Sequence, residues 1–434
     1  MPAILVSYRE PAGRRPVRMR IAHVTDCYLP RMGGIERQVH GLATAQLAAG
    51  HQVSVITSVP AVPADRPTPD SPIPDSPALV SPTPDSPALV SPALVSPGVD
   101  GPAVIRPAGA GSRPGSIRYL ASLRGRQAVA RGGYDLVHIH ASTFSPMAYL
   151  AAGAASGSGV PTVATLHSLW SYATPIFRGF DAALDWRRWP ITWTAVSTAA
   201  AGALSQVLRP GTEISVLANG VRPELWQLPR RLRDPRRVVI VSVMRLAARK
   251  RPLQLLKVLR AVRAQVPAEI RIEVQIIGAG PQREGMLSYL ERHRMTGWVE
   301  LTGQLDQPAI RDRFADADLY VSPATLESFG IAALEARCAG LPVVAFAGTG
   351  VSDFIEHGRN GLLVRSDDEL AAALASLARS PAARAELAGA EGGEADYSWD
   401  HVLQTCEQVY QRAFGQAGRL APPIPGSMAA PVPR

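Results

Sequence analysis

The sequence predicts an α/β protein made of two doubly wound parallel-sheet domains, and three observations carry that reading. Short apolar stretches alternate with longer stretches of helical periodicity along most of the chain. The alternation comes as two series, one starting at Met19 and the other at Arg236. The length, 434 residues, suits two or three cores rather than one. A strand, a helix and another strand in repeated order place the strands parallel and the helices on both faces of a sheet.

The first series opens with MRIAHVT, a short apolar strand. Residues 1–18 lack the apolar centre of a secretory signal and read as a disordered leader, or as a start site placed too early. GGIERQVHGLATAQLAAG follows, with Ile35, Val39, Leu42, Ala43 and Leu47 expected on one helical face and a stop at Gly50. HQVSVIT, YDLVHIH, PTVATLH and TWTAVST are further strands. Residues 60–116 interrupt them with repeats of Ser-Pro and Pro-Asp-Ser-Pro-Ala-Leu-Val. Proline at that density removes donors and fixes φ, so this segment reads as a disordered insertion.

The second series runs RRVVIVSVMRL, the helical PLQLLKVLRAVRAQV, RIEVQIIGAG, WVELTGQ, ADLYVSPA and LPVVAFAG. The expected organisation is an N-terminal Rossmann-like domain over 19–222, a linker over 223–235, and a C-terminal Rossmann-like domain over 236–395. A helix over 396–416 is expected to cross back to the first domain, and 417–434 to be a disordered tail. Ligands of doubly wound sheets bind beyond the carboxyl ends of the strands, so two facing sheets imply a site in the cleft between them.

Composition removes several function classes. No run of about 18 uncharged apolar residues suggests a membrane-spanning helix. The three cysteines, Cys27, Cys338 and Cys406, are far apart, which excludes a disulfide framework and a thiolate zinc site and fits a reducing cytoplasm. The net charge is +9, almost all of it arginine, since Lys250 and Lys257 are the only lysines. We read that skew as compositional and expect no nucleic-acid partner. The stretch holding Arg113, Arg118, Arg124, Arg126 and Arg131, interleaved with Tyr119, Leu120 and Leu123, fits either a helix lying on an anionic membrane or an ordinary solvated helix.

The strongest motif is ESFGIAALE, with Glu327 and Glu335 eight residues apart. A helix beginning near Phe329 leaves the amides of Ser328, Phe329 and Gly330 as free donors at a helix N-terminus, suited to phosphate, and Ile331 is counted with them among the substrate-binding residues. One carboxylate could then reach a hexose and the other a ribose diol; the plain alternative is two solvated glutamates. In VMRLAARKRP, Arg245 and Lys250 follow a strand and could clamp a diphosphate. Gly33 and Gly34 sit at a strand-to-helix turn, where backbone can approach phosphate closely. Gly278 and Gly280 in IIGAGPQRE would shape a wall of the site. His167 ends an apolar strand, where reacting groups of such sheets are found. No dinucleotide fingerprint and no Walker A loop is present. His138 and His140 share one strand face but show no third metal ligand, and Asp316 and Asp318 precede a strand, so both pairs read as structural.

SPATLESFGIAALEARCAGLPVVAFAGTGVSDFIEHGRNGLLV closely resembles the donor-binding segment of retaining glycosyltransferase family 4, also called glycosyl transferases group 1, which has the GT-B fold. Five stretches match in order between about Met19 and Phe414, and within the family the chain most resembles, loosely, phosphatidylinositol mannosyltransferases and related cell-envelope enzymes. The resemblance implies that Glu327 contacts the transferred sugar and Glu335 the nucleotide ribose, and that His167 lies beside the reacting sugar. Arg245 and Lys250 match an arginine and a lysine of the family, whereas Met244 and Arg251 stand where it usually has glycines.

The function implied is transfer of mannose, glucose or N-acetylglucosamine from a GDP- or UDP-sugar to an acceptor hydroxyl, with retention. No metal is expected. The acceptor would be lipid-linked or a small molecule, and the location cytoplasmic or peripheral on the inner face of the membrane. An epimerase of the same fold and a non-catalytic sugar-nucleotide-binding subunit are the rival readings.

Overall fold

The computed structural model describes residues 18–30, 33–61, 94–96, 101–107, 116–169, 186–228, 234, 236–389 and 396–418. The expected leader and tail fall almost wholly outside the described residues, as do Arg113 and much of the Pro-rich segment. The chain forms two compact units, one of Met1–Ala164, Trp189–Thr192 and Tyr410–Arg434, the other of Thr165–Arg188 and Trp193–Val409.

One sheet has eight strands: β1 (Arg20–Thr25), β2 (Gln52–Thr57), β3 (Leu94–Ser96), β4 (Ala103–Arg106), β5 (Leu136–Ala141), β6 (Thr162–Leu166), β7 (Ile191–Ala195) and β8 (Ile214–Val216). Their order is β3-β4-β2-β1-β5-β6-β7-β8, and β3 pairs antiparallel with β4. β5 and β6 are buried at every position, which explains their unbroken apolar runs. Two of these strands lie inside 60–116, the segment expected to be a disordered insertion. β4 pairs parallel with β2, Ser54 opposite Ala103, and Pro102 and Pro107 flank it where no ladder donor is needed.

The other sheet has six strands: β9 (Arg237–Val243), β10 (Arg271–Ile277), β11 (Val299–Gly303), β12 (Leu319–Ser322), β13 (Val343–Phe346) and β14 (Gly361–Val364), in the order β11-β10-β9-β12-β13-β14. Neighbouring strands are parallel throughout. β9 shows how strand periodicity builds two layers. Val238 and Ile240 join a core with Leu255, Leu259 and Leu374, while Val239 and Val241 join the opposite core with Phe314 and Leu334.

Strand order fixes where the loops gather. From β9 the chain winds outward through β10 and β11, then returns to the other side of β9 as β12. The carboxyl ends of β9 and β12 therefore flank the switch point, where loops diverge and leave a crevice. The loops leaving those two ends carry Arg245 and Lys250, and Glu327. In the first sheet the reversal lies between β1 and β5, and the loop leaving β1 leads to Gly33 and Gly34.

Helix Gly34–Ala48 forms as the periodicity predicts, with one change of face. Val39, Leu42 and Ala43 are buried, but Leu47 is 36% exposed and Gln46 only 2%. Gln46 is drawn inward by polar partners described below. The expected linker begins with a helical turn, Pro223–Trp226, whose Trp226 is buried against Phe314 at 5.4 Å between ring centroids.

Candidate active site

The turn after β9 is held by two glycines far along the chain. Gly278 has φ 142° and Gly280 φ 159°, and a Cβ on either would run into the backbone of Met244 or Leu246. The approach lets Met244 N donate to Ile277 O and Leu246 N donate to Ala279 O, both at 3.0 Å. These glycines thus form the floor under the Met244–Arg251 turn. Arg245 is exposed and its side chain has no hydrogen bond among the described residues. Lys250 closes a short 3₁₀ turn, Ala248–Lys250, and its Nζ donates to Glu327 Oε2.

Glu327 lies in a loop, as expected, but helix Ile331–Cys338 starts two residues later than Phe329. Gly330 precedes it at φ 91°, and a Cβ there would meet Val351 Cγ2 at 2.6 Å. Among the described residues, the amides of Ser328, Phe329 and Gly330 donate to no protein acceptor. Three N–H groups without a protein acceptor at a helix start, in the loop whose Glu327 meets the Lys250 ammonium, make a candidate site for a polyanion.

The loop is pinned on its other side. Ser328 Oγ donates to the backbone carbonyl of His167 at 2.8 Å, and Ser197 Oγ donates to the carbonyl of Ser328 at 2.5 Å. Ser197 also caps helix Thr198–Ser205. Phe329 is 2% exposed and packs on Phe354 and Tyr397, so its side chain anchors the loop rather than facing a ligand. Gly350 N donates to Glu327 O at 2.9 Å, and a Cβ on Gly350 would strike Ser328 O and Phe329 Cα. Sequence reasoning missed Ser197 and Gly350; a serine at a helix start and a Gly-Thr-Gly after an apolar strand were the available signals.

Glu335, on the helix, is 6% exposed. Tyr320, on β12, lies near enough to both glutamates that burial first, and then the charges of Glu327 and Glu335, raise its pKa. The charges of both carboxylates thus act on one buried phenol. His167 follows β6, and burial pushes its pKa down from 6.5 to about 4, so it is a neutral imidazole near pH 7.

Gly33 and Gly34 belong to the first unit. Gly33 is extended at φ −169°, a conformation open to any residue, and the carboxyl of Glu36 fills the space its Cβ would take. An acid over this turn is not the open cradle expected for phosphate. Residues 31 and 32 of the turn lie outside the described residues.

Asp316 and Asp318 behave as structural groups. Helix Gln307–Asp316 ends there, and Asp318 Oδ2 accepts from Val239 N at 2.8 Å. His138 and His140 do gain a third imidazole, His23 on β1, with ligand-type atoms within 4.8 Å of one another. The contacts fit a neutral network. His23 Nε2 lies 2.6 Å from the carbonyl oxygen of Gln46, which only accepts, so its Nδ1 accepts from His140 Nε2 at 2.8 Å. Gln46 Nε2 donates to Tyr410 Oη at 2.8 Å, and that hydroxyl is 2.9 Å from His138 Nδ1.

Comparison with known proteins agrees with this architecture. The model for Glycosyltransferase Family 4 matches residues 32–225, and that for Glycosyl transferases group 1 matches residues 227–391. The glycogen synthase of Mycobacterium tuberculosis H37Rv is 27% identical over 423 residues, covering 94% of this chain and 98% of that protein. The D-inositol 3-phosphate glycosyltransferase of Salinispora tropica is 29% identical over 335 residues, covering 68% of this chain and 67% of that one. Among solved structures, sucrose-phosphate synthase from Thermosynechococcus elongatus has a TM-score of 0.67 at 19% identity, covering 92% of this chain and 100% of that chain. Anabaena HepE in complex with UDP and glucose has a TM-score of 0.64 at 18% identity, covering 90% and 99%.

The chain is a member of glycosyltransferase family 4, with the GT-B fold, and is a retaining glycosyltransferase that uses a nucleotide sugar.

Proposed function

We propose that the switch point of the six-stranded sheet binds a UDP- or GDP-hexose (glucose, mannose or N-acetylglucosamine) and that the protein passes the sugar to a hydroxyl of a cell-envelope glycolipid or polysaccharide precursor. The observation that carries this is the meeting of Lys250 with Glu327 beside the open amides of Ser328, Phe329 and Gly330. In this reading Arg245, Lys250 and those amides hold the diphosphate. Glu327 orients the sugar, and Glu335 accepts from the ribose diol. The pairing of Lys250 with Glu327 puts the phosphate and sugar contacts within one bond of each other, as a glycosyl phosphate requires.

Transfer needs the departing diphosphate stabilised as its charge grows. Fixed cations and amides supply that without reorganisation, and no divalent ion is needed. The leaving phosphate deprotonates the acceptor hydroxyl on the same face of the sugar, which preserves the anomeric configuration. His167, kept neutral by burial, can position a hydroxyl but is not a proton donor near pH 7.

Relatives named for glycogen synthesis, and a structural neighbour holding UDP and glucose, make UDP-glucose the first donor to try. A thermal-shift panel of nucleoside diphosphates and their sugars tests the reading, because a ligand raises apparent stability by mass action. A shift with UDP or GDP that grows with the attached sugar supports it. No shift with any member overturns it. Incubation with donor alone separates transfer from epimerisation, since only an epimerase would accumulate a sugar isomer.

A further inference from the structure

Arg251 has a backbone that its residue type disfavours. It lies at φ 59° and ψ 40°, and besides Arg294 it is the only non-glycine residue with positive φ among the described residues. A Cβ crowds the carbonyl in this region, which is why glycine usually occupies it. Here an arginine occupies it, directly after Lys250 and directly before Pro252 at the first turn of helix Pro252–Gln265.

The side chain accounts for the choice. Its Nη2 donates to both oxygens of Asp367, at 2.9 and 2.8 Å, and its Nη1 donates to Pro323 O at 3.1 Å. The guanidinium lies over Phe346, 5.1 Å from the ring centroid. Gln254 Nε2 donates to Asp367 Oδ2 at 2.5 Å, which fixes the carboxylate from a second direction. These partners belong to separate pieces. Pro323 opens the loop after β12, Phe346 ends β13, and Asp367 starts helix Asp367–Arg379. Four residues beyond Pro323 is Glu327, the partner of Lys250. A circuit results: Lys250 to Arg251 through the chain, Arg251 to Pro323 by hydrogen bond, Pro323 to Glu327 through the loop, and Glu327 back to Lys250.

We propose that Arg251 is a positioning residue for the transfer reaction, a latch that fixes the Lys250 turn to the Glu327 loop so that the ammonium is held where the diphosphate charge develops; this rests on the donor-site reading above. A glycine would satisfy the backbone and drop the latch. The start of the turn would keep its bonds to the Gly278–Gly280 floor, but its end would be left with Lys250 N to Ala247 O, Arg251 N to Ala248 O and the Lys250–Glu327 pair, and without a tie to Pro323 or Asp367. A cation that must be recruited to its place stabilises a transition state less than one already there.

The test is a double-mutant cycle. Arg251→Gly, Lys250→Ala and the double variant are compared with wild type for kcat at saturating donor, for UDP and GDP affinity by calorimetry, and for Tm. We expect Arg251→Gly to lower kcat about tenfold or more, with a smaller effect on diphosphate affinity, and low millimolar guanidinium to restore part of the rate. In the Lys250→Ala background, Arg251→Gly should have almost no further effect on kcat, because the group it positions is gone. Equal fold losses in both backgrounds, or an unchanged kcat in Arg251→Gly, overturn the latch. Asp367→Asn, which keeps the arginine and weakens its anchor, repeats the cycle should Arg251→Gly fail to fold. If wild type binds no nucleoside diphosphate, the donor-site reading fails and takes the latch with it; if wild type binds and turns over while the cycle shows no coupling, the latch alone fails.

Discussion

Two clusters of polar side chains differ in a way that separates chemistry from architecture. At the switch point of the second sheet, Lys250 and Glu327 are charged partners whose side chains keep 26% and 13% of their exposure. In the first unit, His23, His138 and His140 are at most 2% exposed, and their contacts with Gln46 and Tyr410 fit neutral rings. A group that is to meet a charged substrate must keep access to solvent and keep its charge. A group that joins strands to helices does better without charge, because a buried imidazolium carries an uncompensated desolvation cost.

The sharpest test of that division is to remove the exposed cation. Lys250→Ala should raise the barrier to transfer by about 2–4 kcal/mol if it resembles loss of a preorganised transition-state donor. Asp318→Asn should leave the rate near wild type, because an amide oxygen can still accept from Val239 N. Initial rates with and without excess EDTA complete the experiment. Activity lost to EDTA and restored by magnesium, with Lys250→Ala near normal, would assign the charge to a metal instead.

The neutral cluster should fail in acid. Burial depresses the pKa of His23 from 6.5 to about 4, so the unfolded chain takes up a proton that the native state refuses. Stability from this group is complete above about pH 6.5 and is lost as pH falls towards 4, on the order of 3 kcal/mol in all. His167 adds a loss of the same sign. Urea unfolding at pH 7, 5.5 and 4.5 reads the slope, and His23→Gln should flatten it. A slope unchanged in that variant would mean that the acid sensitivity lies elsewhere.

Glu335→Ala probes the buried side of the proposed donor site. Loss of an acceptor for a ribose diol should weaken the full donor and the bare nucleoside diphosphate in parallel, by about 1–3 kcal/mol. Calorimetry that shows unchanged diphosphate affinity would remove Glu335 from the ribose.

Sequence periodicity was enough to place β1, β2, β5, β6 and β7, and β9 to β13 of the second series, because most of these strands are buried and need apolar runs, but it did not mark β14. It was not enough for β4, since the proline-dense context hides a four-residue strand whose flanking prolines do no harm. Glu327 and Lys250 were legible as charged residues after strands, yet nothing in their spacing showed that they touch. Gly278 and Gly280 stood out as a pair, but their reason lies in the backbone of Met244 and Leu246, over thirty residues earlier. Arg251 was visible only as a departure from a glycine; that it keeps the glycine's backbone and adds a side-chain anchor needed φ and the partners. Gln46 was not among the residues expected on the buried face of its helix, because helical periodicity scores residue type, and two buried polar partners override that score.

The smallest expected effect concerns that last point. Tyr410 is 2% exposed on helix Trp399–Gln416, and its hydroxyl meets Gln46 Nε2 and His138 Nδ1. Gln46 can only donate from Nε2, so the hydroxyl accepts there and gives its own proton to His138. Tyr410→Phe keeps the ring, and with it the edge contact to His138 at 5.6 Å between centroids. Only the oxygen is lost. Stability should fall by about 1–2 kcal/mol, the cost of weakening the pairing of two buried polar groups. Donor affinity and kcat at saturation should not change, because the network belongs to the first unit and holds its strands to its helices. A double variant with Gln46→Leu should cost less than the sum of the single changes, since the second removes a donor that the first has left without the hydroxyl. Chemical denaturation of the four proteins measures the coupling. If Tyr410→Phe instead leaves stability intact and lowers kcat, the buried network serves turnover, and the division between a charged site for chemistry and a neutral one for architecture does not hold.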